Sequence, residues 1–249
     1  MVICRSKSEI AKIRRACDVV SGVLAEVRRA VNPGRTTREL DRVAEEYIIS
    51  KGAFPAFKGY RGYPASICTS VNQQVVHGIP SDYALQAGDI LGIDAGAVLD
   101  GYYGDAAITV PVGDIDGELI NLLQITRAAL MKGIDQARPG RRVFDISHAV
   151  QQHVESNGYS VVRDFVGHGI GTHLHEDPQV PNYGEPGKGK RLVEGMVLAI
   201  EPMVNTKGFE VKTLSDNWTV ITADGGYSAH FEHSVAILSD GPAILTEWD

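Results

Sequence analysis

Asp94 and Asp105 lie on either side of an Asp100-Gly101 pair, inside the apolar runs Ile90–Leu99 and Tyr102–Val110. Asp-Gly between two such runs is a hairpin signal. Across a two-residue loop both carboxylates project from one face, opposite or diagonal to each other, about 4.5–8 Å apart. Two like charges buried that close repel strongly unless a proton or a cation lies between them. Three further groups share this tension. His168 stands in Gly167-His168-Gly169-Ile170-Gly171, whose glycines leave the imidazole open to close approach. Glu201-Pro202 ends the apolar run Met196–Ile200, and Glu232 in Phe231-Glu232-His233 precedes the alternating Val235 and Ile237. Four carboxylates and one imidazole form an oxygen-rich, thiolate-free set. It suits two divalent ions such as Mn, Fe, Co or Zn, whose charge would cancel that of the carboxylates.

The elements that must position these groups are legible as periods. Ile10, Ile13, Cys17, Val20, Leu24, Val27 and Val31 recur at helical spacing behind a Ser6–Glu9 capping box, which predicts a helix over roughly 8–31. Asn32-Pro33-Gly34 stops it, and Thr36 with Glu39 starts a second helix with the stripe Leu40, Val43, Tyr47 and Ile48. A second pair is predicted around Leu119–Ile134 and Ile146–Val154, with Arg138-Pro139-Gly140 between them. Shifting the numbering by about 106 carries Pro33-Gly34-Arg35 onto Pro139-Gly140-Arg141, and Gly88–Asp94 lands on Gly195–Glu201. The chain therefore reads as one catalytic domain with an internal duplication, approximately 1–112 and 113–249. A second hairpin is expected from Trp218–Thr222 and His230–Leu238 around Asp224-Gly225-Gly226. The fold class is α+β, with helix pairs and antiparallel strands in two pseudo-symmetric halves around a central metal site.

Composition narrows the function. Hydrophobic residues at 43% and charged residues at 22% exclude disordered, collagen-like and coiled-coil chains. A net charge of −7 with no dense Lys/Arg cluster argues against a specific nucleic acid partner. Cys4, Cys17 and Cys68 form an odd set without CxxC spacing, so a reducing compartment is expected and Cys4 and Cys17 read as buried thiols without function. No signal-peptide core opens the chain and no apolar run is long enough to span a membrane, which points to the cytoplasm.

In this order and spacing, Asp94, Asp105, His168, Glu201 and Glu232 resemble the five metal ligands of the methionine aminopeptidase family. The resemblance covers almost the whole chain. It includes Gly59–Pro64, Asn72 through His77-Gly78-Ile79-Pro80, Gly167–Gly171, His175-Glu176-Asp177-Pro178 and Phe231-Glu232-His233. It implies the duplicated pita-bread (creatinase/aminopeptidase) fold, and the short stretch between His175 and Glu201 resembles the bacterial-style type I members. By that resemblance Asp94 chelates one ion, His168 and Glu201 complete the other, and Asp105 and Glu232 bridge them, with a hydroxide between the ions attacking the first peptide bond. Glu201 then acts as general base, His175 stabilises the oxyanion, and His77 hydrogen-bonds the substrate backbone. Tyr60, Tyr63, Cys68, Leu174 and Trp218 wall the methionine slot.

The implied activity is removal of the initiator methionine from nascent or new chains when the second residue is small, by a monomer that associates transiently with the ribosome. Three departures from the family pattern stand out: Leu174, where Phe is usual, and Gly96 and Ala106, near where Thr is common. The first suggests a wider slot and the others bear on metal affinity. His173 and His175 alternate along an extended segment, and only the family match selects His175. His148 and His153 read as helix-surface or interface residues. His230 and His233 either orient Glu232 or are simply exposed. Two rivals remain. One is an Xaa-Pro peptidase, which shares the ligand order but normally carries a large extra N-terminal domain, and the other is a non-catalytic binding protein of the same fold.

Overall fold

Ser6 and Glu9 close the first helix reciprocally: the Glu9 carboxylate accepts the Ser6 N–H at 2.8 Å while the Ser6 hydroxyl accepts the Glu9 N–H at 3.3 Å. From that cap α1 (Lys7–Ala30) runs until the Pro33-Gly34 turn, and Thr36 repeats the device with Glu39 to open α2 (Thr37–Ser50). In the computed structural model, which describes residues 2–248, the second pair is α3 (Gly117–Asp135) and α4 (Val143–Ser156). Both pairs bury the apolar stripe that the periodicity marks, Val20, Leu24 and Leu40 in one, Leu122, Leu130 and Ile146 in the other, all fully buried.

Between and after the helices lie β1 (Phe54–Pro55), β2 (Ile67–Val71), β3 (Gln74–Val76), β4 (Ile90–Leu99), β5 (Tyr102–Pro111), β6 (Ser160–Val161), β7 (Val166–Gly169) and β8 (Glu176–Pro181). They are followed by β9 (Val197–Ile200), β10 (Met203–Asn205), β11 (Val211–Thr213), β12 (Val220–Thr222), β13 (Ser228–His230), β14 (His233–Leu238) and β15 (Gly241–Ile244). One sheet has β4 paired with β5 on one edge and with β2 and β1 on the other; the second runs β15-β14-β9-β7-β8. Two three-stranded sheets, β13-β10-β6 and β11-β12-β3, complete the set among the described residues.

The two halves repeat their backbone contacts. Gly34 N–H donates to Leu85 O and Leu85 N–H to Arg35 O; Gly140 N–H donates to Leu192 O and Leu192 N–H to Arg141 O. The larger sheets meet where β5 is stitched to the far end of the chain. Ser234 Oγ donates to Asp105 O at 2.8 Å, Glu232 N–H donates to Ala107 O at 2.9 Å, and Thr109 Oγ1 donates to His230 O at 2.8 Å.

The expected second hairpin does not form. Asp224 caps its turn by accepting Gly226 N–H and Gly208 N–H, and the chain leaves it in a new direction. As a result β12 pairs with β11 and β3, β13 with β10, and β14 with β9 and β15. Alternation along a strand reports which faces are buried, not which strand lies alongside. Cys4 also departs from expectation: it is exposed, while Cys17 is buried as expected. His148 and His153 sit half-buried on α4.

Candidate active site

The register of the β4–β5 ladder decides the first pair of carboxylates. Gly96 faces Asp105 and Asp94 faces Ala107, so the two aspartates are diagonal neighbours on one face. Asp105 is 4% exposed and Glu232 2%, and the seam to β5 points both at the same cavity. His168 on β7 sits opposite Ala199 of β9, and Glu201 follows the last residue of β9. The ligand atoms of Asp105, His168 and Glu232 lie within 4.8 Å of one another. His168 Nε2 is 3.8 Å from Asp105 Oδ2 and 3.5 Å from Glu201 Oε1. Its Nδ1 donates to Gly169 O at 2.9 Å, which turns the Nε2 lone pair into the cavity.

The electrostatics show a site in tension. Burial lifts the Asp94 carboxyl to about 7. Asp105, Glu201 and Glu232 are pushed well above the carboxylate range by burial, reinforced by one another's charge and that of Asp94. Burial drives His168 down to about 3, helped by His175. Asp94 Oδ1, Asp105 Oδ1 and Glu232 Oε1 are sealed from solvent and lack any hydrogen-bond partner among the described residues. Buried carboxylate oxygens without donors are costly unless a cation takes them. The donor set therefore fits divalent metal, with hard oxygen ligands and one imidazole whose free nitrogen faces them.

Above this floor is a cavity of about 300 Å³. Its walls include Tyr60, Tyr63, Cys68, Leu174 and Trp218, the five slot residues expected from the sequence. Tyr63 packs edge-on to Trp218 with centroids 5.0 Å apart, and its hydroxyl sits 3.0 Å from Gly78 O, steadying the turn that carries His77. Gly96 is explained locally: a Cβ there would stand 2.6 Å from Phe57 Cε1, so Phe57, another wall of the cavity, occupies the space a larger residue would need. Nothing in the structure explains Ala106.

His77 has φ of 59° and packs edge-on against Phe165 at 5.5 Å and Trp218 at 6.2 Å; burial holds its imidazole down at about 4. His175 sits at the rim, with Nδ1 2.8 Å from the Tyr60 hydroxyl and its ring 4.3 Å from that of His168. His173 is exposed and turns away from the cavity toward Thr172 and Glu176. The structure thus brings every expected site residue to one place. It also decides against the exposed alternative for two histidines, since both His230 and His233 are buried. His230 Nε2, without a hydrogen-bond partner, is 3.8 Å from Glu201 Oε2, while His233 stacks on Trp248 at 4.2 Å and bonds Thr246. Phe165 and the His230–Glu201 proximity are the functional features that sequence reasoning missed. Neither lies in an informative local pattern, because each is created by strands distant in the chain.

Residues 11–239 match the model of metallopeptidase family M24. A methionine aminopeptidase of Clostridium acetobutylicum is 53% identical over 247 residues, covering 99% of each chain. Among solved structures, a methionine aminopeptidase from Thermotoga maritima superposes with a TM-score of 0.98 at 46% identity, covering 99% of this chain and 100% of that one. A prolidase from Pyrococcus furiosus superposes with a TM-score of 0.82 at 25% identity; 99% of this chain matches 66% of that one.

Proposed function

The chain belongs to metallopeptidase family M24, and from that premise we propose that it removes N-terminal methionine from peptides and new proteins whose second residue is small. The observation that carries the reading is one juxtaposition. A slot walled by aromatic, sulfur and aliphatic side chains ends directly on a floor where one buried oxygen each of Asp94, Asp105 and Glu232 has no donor among the described residues. Such a slot suits an unbranched thioether, and such a floor suits divalent metal.

Asp94, Asp105, His168, Glu201 and Glu232 would hold two ions, as the family resemblance implies, and the ligand atoms of Asp105, His168 and Glu232 lie close enough to share a cation. When bound, the ions supply Lewis-acid polarisation of the scissile carbonyl, a lowered water pKa and a position for the substrate's free amine. Glu201 is the base that takes the proton of the attacking water, a role open to a carboxylate lining the cavity beside His168. In the tautomer whose Nδ1 accepts from the Tyr60 hydroxyl, His175 keeps an Nε2–H to stabilise the oxyanion as it develops. His77, neutral at working pH, hydrogen-bonds the substrate backbone beside the cleaved bond.

The chain acts as a single catalytic unit whose halves divide near 112/113, a monomer working in the cytoplasm on nascent chains close to the ribosome. The test is hydrolysis of Met-Ala-Ser by metal-stripped protein re-supplied with Co, Mn, Fe or Zn. Met-Leu-Ser, an Xaa-Pro peptide and a chelator serve as controls. Metal-restored release of methionine from Met-Ala-Ser alone supports the reading; preferential cleavage of the Xaa-Pro peptide would replace it with a prolidase-like activity.

A further inference from the structure

His175 is an exposed side chain asked to meet a transition state, and its own ring has one hydrogen-bond partner, Tyr60. The turn that leads into it is held by the residue that follows it. The Glu176 carboxylate accepts the N–H groups of Thr172 at 2.9 Å and His173 at 3.0 Å, gathering the whole turn onto one oxygen. That carboxylate is in turn gripped by Arg5, whose Nη2 lies 2.6 Å from both of its oxygens. The two side chains are only 5% and 8% exposed, so this is a buried, charge-assisted pair.

Arg5 is itself fixed from the opposite side. Its N–H donates to Gly195 O at 2.7 Å, its Nη1 lies 3.7 Å from the Glu9 carboxylate that caps α1, and Ser6, the cap residue, follows it in the chain. The turn makes room for the guanidinium, because a Cβ on Gly171 would stand 2.3 Å from Arg5 Nη2. The result is a strut between the start of α1 and the segment carrying His175.

We propose that Arg5, acting through Glu176, is a positioning residue that sets His175 against the reacting carbonyl. This rests on the role given to His175 in the preceding subsection. A displacement of a catalytic group by about 1 Å costs as much as 10²-fold in rate, whereas neither side chain of the Arg5–Glu176 pair bonds to a residue expected to hold metal.

The test is a double-mutant cycle with Met-Ala-Ser on the metal-loaded protein, comparing parent, Arg5→Gln, His175→Ala and the double variant. Arg5→Gln is expected to lower kcat about 10- to 30-fold with KM and calorimetric Mn affinity each within about 3-fold of the parent, and Arg5→Lys to recover most of the loss. In the His175→Ala background Arg5→Gln is expected to change kcat less than about 2-fold, because the group it positions is gone. An equal fall in both backgrounds, a parent-like kcat for folded Arg5→Gln, or a matching loss of Mn affinity overturns the proposal. If Arg5→Gln fails to fold, Arg5→Lys and Glu176→Gln are put through the same cycle, and collapse of all three overturns it in favour of a pair needed for folding alone. A parent that releases no methionine refutes the underlying activity instead, and a His175→Ala variant with intact kcat refutes the role of His175.

Discussion

The floor of the cavity and its rim are built in opposite ways. On the floor, Asp94 is paired on both sides by β2 and β5, Asp105 by β4 and the Ser234 side chain, Glu232 by a single bridge to Ala107 and His168 by β9, and Glu201 follows the end of β9. Their side chains are nevertheless unsatisfied: oxygens of three carboxylates are sealed without a donor. At the rim, His77 rides a turn at positive φ and His175 an exposed segment, yet both are held by specific side-chain contacts, to Phe165 and Trp218 in one case and to Tyr60 in the other. A rigid backbone can hold groups in mutual repulsion until a cation relieves them, which suits metal chemistry. Groups that meet a changing substrate sit instead on turns, where small movements of neighbours tune them.

The contrast breaks most sharply if a carboxylate proposed to be shared between ions is neutralised. Asp105→Asn or Glu232→Gln should lower Met-Ala-Ser turnover by about three orders of magnitude or more, while the metal-stripped protein melts no lower than the parent because a buried repulsion has been removed. Turnover still in double-digit percentages of the parent would show that the floor does not bridge two ions. At the rim His175→Ala should cost about 10²-fold in kcat with little change in KM; a pure KM effect in steady-state kinetics would move His175 from transition-state contact to simple binding.

Smaller effects sharpen the picture of the slot. Trp218→Ala removes the edge-on partner of Tyr63 and should raise KM about 10-fold with kcat nearly kept. Leu174→Phe should narrow the slot and change the preference for methionine over norleucine by roughly 2- to 5-fold, read from kcat/KM on the two matched peptides; no change would place Leu174 outside the contact.

The smallest signal is a pH dependence of metal-free stability. His77, His168 and His230 are held below their usual value, so below about 6.5 they make stability rise with pH as the unfolded chain loses its extra protons. The floor carboxyls are held above theirs, so the folded state keeps protons that the unfolded chain has already lost, and their contribution falls as pH rises. Above about pH 6.5 the unfolded chain's histidines are less than half protonated and the four carboxyls outweigh them. The Tm of chelated protein should then drop by a few degrees between about pH 6.5 and 8, and added Mn should abolish the drop. A flat or rising Tm over that window would mean that the floor is not the strained element.

Much of this was readable before any coordinates. The Ser6–Glu9 and Thr36–Glu39 caps, the Pro-Gly-Arg turns recurring in both halves and the Asp100-Gly101 hairpin are local signals, and the structure keeps each one. The period-2 argument placed Asp94 and Asp105 on one face, and the register makes them diagonal neighbours. The same argument failed for Trp218–Thr222 and His230–Leu238, because a turn motif names a reversal without naming the strand that will accept the returning chain. It also could not choose between His173 and His175, which an extended segment would place on the same face; the chain bends through 171–175, and only the fold brings His175 to the cavity.

The amino-acid sequence by itself determined the helices, their duplication, the first hairpin and the identity of the groups able to hold metal, since each depends on residues within one or two turns or one tight loop. Only the tertiary structure decided that Ser234 ties the backbone of Asp105 from 129 residues away, that His230 faces Glu201 rather than solvent, and that Arg5 reaches Glu176 across 171 residues. Those contacts follow from how the two halves close on each other, and no short-range pattern carries that information because the entropy of bringing such distant segments together is repaid only by the packing of the whole molecule.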